Sequence, residues 1–295
     1  MRALRVVWVM SALGFLFYFL FTRWSTVVEL MHALSVWQPV LSLTLLVAGK
    51  LAYSEVVRLT LRALGRQAGF RQAFHAYSIS QIGKYIPGSI WQFVGRYDIY
   101  RGYGLHSRHV VELLVLENAL MLALALLVGS PAAIKIGVPI ITLIPPLGVA
   151  VTGVVAVAAI LAALIFLPGL STRLATLVEV SWRDRRLFFR VSATFLAMWI
   201  LLGLSAYVLF AREPGVSLPY VVSLFALSYV IGFAVVFAPA GFGVREAVLA
   251  LGLAGVMAPQ DALLLAVGHR IVYVASDLLC AGAALALMRH ARGEP

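Results

Sequence analysis

The sequence predicts an all-α, polytopic membrane protein with about six full spans and two broken or re-entrant hairpins, which makes eight helices by a hydropathy count. The 295 residues are 62% hydrophobic and only 12% charged, whereas soluble domains are roughly 45–50% apolar and about 25% charged. The apolar runs are long and continuous, as helices that cross a bilayer require. A transmembrane β-barrel would instead show alternating segments of about ten residues.

Six apolar runs predict the full spans. They lie at about 4–22, 37–57, 110–129, 147–167, 188–211 and 260–288. The first run follows Arg2 and Arg5, as in a signal peptide, but it is long and no A-x-A-like cleavage site follows it, so we expect a retained helix. We expect the six runs to form one integral membrane domain, 1–295, with approximate halves 1–146 and 147–295.

The basic residues predict the orientation of these spans. With the N-terminus inside, 16 of the 23 lysines and arginines, Arg96 among them, fall in cytoplasmic loops, termini or helix ends, and three fall outside. The remaining four, within or beside membrane segments, are Lys50, Lys84, Arg245 and Arg270. Cytoplasmic loops carry an excess of Lys and Arg. We therefore predict a multi-pass protein of the cytoplasmic (inner) membrane with both termini in the cytoplasm.

Two further apolar segments, 73–95 and 218–258, are interrupted by proline and glycine. In the predicted topology the first enters and leaves from the cytoplasm, and the second approaches from the outside. Interrupted helices of opposite entry are typical of inverted repeats, which place a transporter's binding site near the bilayer midplane. The helix after the second break, 244–258, is about 22 Å long, too short to span comfortably. We therefore predict a half-helix there and an inverted repeat overall.

The first break lies within the stretch "GKYIPGSIWQFVGR". Pro87 removes a backbone donor and Gly88 tolerates unusual dihedral angles, so a helix is expected to end there. Ser89 is a suitable N-cap for a new helix that begins at Ile90. Because the freed backbone groups cannot face lipid, this break is expected to line a cavity or to pack inside the protein.

The chemistry around this break suits an anion. A helix N-terminus offers unpaired N–H groups and the positive end of the helix dipole. Lys84 lies on one side of the break and Arg96 on the other, and phosphate is the obvious ligand for the pair. The alternative is that the break is a simple kink and that Lys84 snorkels to the headgroups.

The second break, "APAGFGVREA", repeats this pattern. Pro239, Gly241 and Gly243 interrupt the chain, and a helix is expected to start immediately afterwards, near Val244. Arg245 lies in its first turn and is a second candidate for pairing with phosphate. Glu246, beside it, is either part of the substrate site or a capping carboxylate that pairs with Arg245.

Other charges within the predicted spans indicate a polar interior. Glu117 lies in the middle of an apolar run, where a carboxylate is costly unless it faces a partner or water. Arg270, Tyr273 and Asp277 follow the spacing i, i+3, i+7 and therefore share one helix face. These residues form either a substrate or proton network or a structural cluster in which Arg270 neutralises Glu117 or Asp277. Lys50 lies nearer the cytoplasmic end, and we expect it to snorkel.

The sequence gives no sign of a disulfide, a metal site, a cofactor site or a nucleic-acid partner. Cys280 is the single cysteine, so the sequence predicts neither an internal disulfide nor a cysteine metal site. No metal-spaced His/Cys cluster, Gly-rich phosphate loop or nucleophile elbow is found, so we expect no metal and no cofactor. The net charge of +11 is better explained by cytoplasmic loops and anionic headgroups than by a nucleic-acid partner.

The motifs resemble the lysylphosphatidylglycerol synthase transmembrane-region family, a group of integral membrane proteins often called flippase-like. The resemblance rests on "GKYIPGSIWQ" followed by "GR", on the mid-helix "LEN", where the family often has Glu-Arg, and on "PAGFGVREA". The resemblance covers roughly 40–290. Within the family, the chain is similar to the stand-alone form without a synthase domain. The positions that it implies are Lys84, Pro87, Gly88, Arg96, Glu117, Pro239, Gly241, Gly243, Arg245 and Glu246.

The main hypothesis is lipid translocation, with the headgroup of an anionic phospholipid, a modified phospholipid or a polyprenyl-phosphate-linked glycan between the two broken helices. The first alternative is an accessory or scaffold protein for a separate envelope lipid synthase or glycosyltransferase. The second is an intramembrane headgroup transferase, for which Glu117 and His269 are the candidates for a general base. We expect no enzyme activity, because the cytoplasmic loops, each shorter than about 25 residues, cannot house an enzyme domain.

Overall fold

The computed structural model describes residues 34–86, 90–143, 185–211, 215–235 and 238–292. Within these ranges the chain forms eight α-helices and no strand, which confirms the predicted all-α class. The helices are α1 (Trp37–Ala63), α2 (Phe70–Ile82), α3 (Trp91–Gly102), α4 (Ser107–Leu143), α5 (Arg185–Phe210), α6 (Leu218–Ala234), α7 (Val244–Leu253) and α8 (Pro259–Arg292). Two short 3₁₀ segments, Gly83–Tyr85 and Pro239–Gly241, lie at the two predicted breaks.

Four of the described helices, α1, α4, α5 and α8, are long and apolar enough to cross a membrane. They contain 26 to 31 residues in their apolar portions, about 39–46 Å at 1.5 Å per residue, which exceeds the ~30 Å hydrocarbon core. They correspond to four of the six predicted spans. The other two, 4–22 and 147–167, lie outside the described residues.

Helix α4 extends well beyond the predicted span 110–129. Pro131 removes one backbone donor from the interior of this helix, which ordinarily weakens a helix at that point. The structure continues the helix to Leu143. The hydroxyl of Ser130 donates to the carbonyl of Leu127 at 2.9 Å, and this is the carbonyl that the missing N–H of Pro131 leaves without its usual partner.

Helices α1 and α5 pack side by side in opposite directions. Near the start of α1 the side-chain amide of Gln38 donates to the carbonyl of Val208, near the end of α5 (2.9 Å). Further along, the ring of Tyr53 packs edge-on against that of Phe195, with centroids 5.3 Å apart. The end of α1 and the start of α5, both rich in arginine, therefore lie at one end of the bundle, which we call the basic end.

The first broken segment forms a hairpin of α2 and α3. The guanidinium of Arg96 contacts the hydroxyl of Ser80 at 3.3 Å, and the hydroxyl of Tyr103 donates to the carbonyl of Gln72 at 3.1 Å. The guanidinium of Arg62, at the end of α1, donates to the carbonyl of Ala68 just before α2 at 3.1 Å, so both outer ends of the hairpin lie at the basic end. Helix α3 begins at Trp91, one residue later than predicted.

The second broken segment forms a matching hairpin of α6 and α7 at the opposite end of the bundle. The hydroxyl of Tyr220 donates to the carbonyl of Gly252 at 2.7 Å, so the outer ends of α6 and α7 lie together. The ammonium of Lys135, far along α4 from the basic end, lies 4.1 Å from the centroid of the Tyr220 ring. Helix α7 starts at Val244 as predicted but ends at Leu253, so it is shorter than the expected 244–258.

Candidate functional site

The two chain breaks meet inside the bundle. The 3₁₀ segment Gly83–Tyr85 contacts the 3₁₀ segment Pro239–Gly241. Between them lies a cavity of about 240 Å³, lined by Lys84 from the first break and by Arg245 from the second. Of the residues at the first break, Pro87, Gly88 and Ser89 lie outside the described residues. The N-cap position of α3 is Ile90, with no side-chain cap, rather than Ser89 as predicted.

The second break bends through left-handed backbone conformations. Ala240, Gly241 and Gly243 have φ values of 52°, 71° and 82°. Glycine adopts such angles at little cost, whereas other residues are strained there. This turn, which follows Pro239, reverses the chain so that α7 packs back along α6, and Arg245 in the first turn of α7 lines the cavity.

Arg245 is the most unusual charge in the site. The residue is 6% exposed, yet it has no ion-pair partner among the residues that the structure describes. Its guanidinium carbon lies 4.4 Å from the ring centroid of Tyr229, 5.2 Å from Tyr273 and 5.4 Å from Phe225. Cation–π contacts of this kind hold a guanidinium in place without neutralising it. Arg245 therefore presents an uncompensated positive charge to the cavity.

Two glycines make the slot that positions the Arg245 side chain. A Cβ atom added at Gly232 would lie 2.4 Å from Cγ of Arg245, and one added at Gly241 would lie 2.9 Å from its Cδ. Real Cβ atoms essentially never approach so closely. The stem of Arg245 thus depends on the absence of side chains at these two positions.

We expect Gly232→Ala to lower the free energy of unfolding by about 1–3 kcal/mol, because the new methyl group overlaps the buried stem of Arg245. Gly282→Ala is the matched control, since nothing lies within 4 Å of a Cβ atom added at Gly282. Unfolding of both variants in mixed detergent micelles measures the difference. Equal stability of the two variants would contradict the assignment of Gly232 to the Arg245 slot.

Lys84 belongs to a buried cluster around Asp277. Its ammonium lies 2.8 Å from one carboxylate oxygen of Asp277, and the ammonium of Lys50 lies 2.5 Å from the other. The hydroxyl of Tyr85 donates to the same carboxylate at 2.6 Å. Lys84 is only 7% exposed, so the alternative in which it snorkels to the headgroups is wrong.

The expectation that Lys50 snorkels is also wrong. Lys50 is 1% exposed and lies at the middle of the 27 residues of α1, about 20 Å from either helix end. Its four-carbon stem cannot reach a headgroup from there, and its ammonium instead pairs with Asp277 and donates to the carbonyl of Tyr273 at 3.3 Å. Lys50 is therefore part of the polar interior that the sequence had assigned to other residues.

Tyr273 stands at the centre of the positive charges. Four cations lie within 6 Å of its ring centroid: Lys50 at 4.4 Å, Lys84 at 4.9 Å, Arg245 at 5.2 Å and Arg270 at 5.8 Å. The negative face of an aromatic ring attracts cations and reduces the cost of bringing them together. The predicted helix face of Arg270, Tyr273 and Asp277 is thus a common contact surface for both chain breaks.

Glu246 holds the second break to α8. One carboxylate oxygen accepts the backbone N–H of Gly243 at 2.8 Å, as a helix cap does, and the other lies 3.4 Å from the guanidinium of Arg270. Arg270 also donates to the carbonyl of Ala240 at 2.8 Å. The capping role considered for Glu246 is therefore confirmed, whereas the alternative pairs, Glu246 with Arg245 and Arg270 with Glu117 or Asp277, are wrong.

Arg96 and Glu117 form a separate cluster nearer the basic end. They are 3.2 Å apart, and the hydroxyl of Thr60 donates to Glu117 at 2.5 Å. The guanidinium of Arg96 also lies over the rings of Tyr53 and Tyr77. Arg96 is buried, not in a cytoplasmic loop as counted from the sequence. Since Glu117 already compensates its charge, the geometry does not favour the predicted pairing of Arg96 with phosphate.

Comparison with known proteins agrees with this architecture of long apolar helices. The family model described as the lysylphosphatidylglycerol synthase TM region matches residues 3–281. The chain belongs to this family. It is therefore a multi-pass membrane protein of a lipid-related family. No curated protein matches the sequence at a significant level.

Three residues of the site in this family member were not predicted from the sequence: Lys50, Gly232 and Tyr229. Lys50 carried a usable signal, because it lay well inside a predicted span rather than at its end. Gly232 and Tyr229 carried none, since a glycine and a tyrosine in an apolar helix are ordinary until the helix is placed beside Arg245. Contacts between distant segments decide such roles.

Proposed function

We propose that the protein translocates an anionic lipid across the cytoplasmic membrane, with the headgroup held between the two broken hairpins. The observation that carries the proposal is the uncompensated charge of Arg245, 94% buried and facing a cavity of about 240 Å³ beside Lys84. A positive cavity inside a hydrophobic protein attracts an anion and repels cations. The basic end, which we place in the cytoplasm with both termini, fits the rule for positive loops.

The two hairpins suggest how the headgroup would cross. They enter from opposite ends of the bundle and meet at the cavity, as the re-entrant halves of an inverted repeat would. Small movements of either hairpin would open the cavity toward one side of the membrane at a time. Because the sequence has no Gly-rich nucleotide loop, we expect a gradient to drive the movement, or the movement to run downhill.

Reconstitution into liposomes tests the proposal. Lys84→Ala/Arg245→Ala is expected to reduce the movement of a labelled anionic phospholipid to the rate of protein-free liposomes. Arg108→Ala is the matched control, because its side chain is 65% exposed and lies at the basic end. Movement at the wild-type rate in the double variant would refute the site.

An accessory or scaffold role is the second candidate function, and the liposome experiment distinguishes it from lipid translocation. A wild-type protein that moves no lipid but retains a lipid synthase or glycosyltransferase through purification would favour the scaffold hypothesis. The buried charges around Tyr273 would then serve only to hold the two hairpins together.

A further inference from the structure

The charges around Tyr273 do not balance. In the part of the chain that the structure describes, two carboxylates, Asp277 and Glu246, accompany the four cations that surround this ring. Asp277 is shared by two lysines, and Glu246 pairs with Arg270. Two positive charges are therefore left without a counter-charge in the interior of a membrane protein, where an uncompensated charge is costly.

The surplus charge faces the cavity. Lys84 and Arg245 both line it, whereas neither Asp277 nor Glu246 does. Among the described lining residues no carboxylate is present, so the cavity offers nothing to a cationic headgroup. A ligand with two negative charges would compensate the surplus, but a ligand with one would leave a buried positive charge unpaired.

The rest of the cavity is apolar and small. Ile90, Phe93 and Phe233 line its hydrophobic wall, and Gln92 and Tyr229 add polar groups. Its volume of about 240 Å³ is below the ~300–1,000 Å³ of pockets that hold drug-sized ligands. A phosphate group fits well within such a space, so the number of negative charges, rather than size, is what distinguishes one phosphate lipid from another here.

An exposed apolar surface adjoins the cavity at the first break. Ile90 lines the cavity and is 55% exposed, and Ile86 and Trp91 of the same broken segment are 48% and 46% exposed. Exposed apolar side chains on a membrane protein face hydrocarbon rather than water. A chain attached directly to the phosphate would leave the cavity through this surface and stay among the lipid tails.

We infer that the cavity selects a lipid whose phosphate is a terminal monoester, a dianion attached directly to its hydrophobic part, over a phosphodiester lipid with a further polar headgroup. This inference rests on the proposed function and narrows its substrate class. The same dianion chemistry occurs in inorganic phosphate and in water-soluble phosphomonoesters, so these must be tested beside the lipid.

Binding to the purified full-length protein at pH 8 tests the inference, since the second ionisation of a phosphomonoester, with a pKa of about 6, is then complete. Phosphatidic acid and phosphatidylglycerol with identical acyl chains are the two lipid probes, and inorganic phosphate and glycerol 3-phosphate are the soluble probes. We expect phosphatidic acid to bind at least about tenfold more tightly than phosphatidylglycerol. Lys84→Gln, which removes one surplus charge, is expected to abolish most of that preference, whereas Arg108→Gln retains it.

Each other outcome is informative. Equal binding of the two lipids, with both lost in Lys84→Ala/Arg245→Ala, would overturn the monoester inference and leave the proposed function standing. Soluble phosphates that bind as tightly as phosphatidic acid would overturn the lipid part of the inference. If neither lipid binds more tightly to the wild-type protein than to the double variant, the proposed function itself fails.

Discussion

Asp277→Asn is expected to lower the free energy of unfolding by about 3–5 kcal/mol. Asp277 is 2% exposed, and its carboxylate contacts two ammonium groups and one hydroxyl group. An asparagine of the same size keeps the packing but removes the charge, so Lys50 and Lys84 would lie together in the interior without a counter-ion. Removing one partner of a buried ion pair is costly because the other charge stays buried. Unfolding in mixed detergent micelles measures the loss.

The matched control for this cluster is Lys84→Gln. It removes one of the two cations and leaves Asp277 paired with Lys50 at 2.5 Å. We expect Lys84→Gln to keep most of the wild-type stability, since no buried charge then lacks a partner in this cluster. If Asp277→Asn were as stable as Lys84→Gln, the carboxylate would not be the common counter-ion of the two lysines.

Glu117→Gln is expected to have a similar effect, about 3–5 kcal/mol, on the second cluster. Glu117 is fully buried, and it compensates the guanidinium of Arg96, which is itself only 3% exposed. The substitution would leave Arg96 with aromatic rings and hydroxyl groups alone. Thermal unfolding of the purified variant, followed by circular dichroism, provides the measurement.

A double variant distinguishes loss of charge balance from loss of packing. Arg96→Met/Glu117→Leu replaces the whole pair by apolar side chains, and such replacements of buried ion pairs are often neutral or stabilising. We expect the double variant to be more stable than Glu117→Gln alone. A double variant that is less stable than the single variant would show that the pair holds α3 against α4 in a way that apolar contacts cannot replace.

The helices and their breaks could be predicted because local chemistry determines them. Continuous apolar runs predicted α1, α4, α5 and α8, and proline with glycine predicted both interruptions. The spacing of Arg270, Tyr273 and Asp277 also placed them correctly on one face of α8. Each of these inferences needed only residues that are close together in the sequence.

The ion pairs could not be predicted in the same way. Which acid meets which base depends on how helices far apart in the sequence pack, and several cations compete for each buried carboxylate. Arg270 pairs with Glu246 because the second hairpin reaches α8, and Arg96 pairs with Glu117 because α3 lies beside α4. The sequence therefore predicted a polar interior, but it placed Arg96 beside Lys84 at the first break rather than beside Glu117.

The most direct test of the central claim is mass spectrometry of the lipids that copurify with the protein in mild detergent. The claim is that Lys84 and Arg245 make one anion site between the two breaks. It predicts enrichment of one anionic lipid class with the wild-type protein and loss of that enrichment in Lys84→Ala/Arg245→Ala. A lipid profile that matches the bulk membrane in both proteins would contradict it.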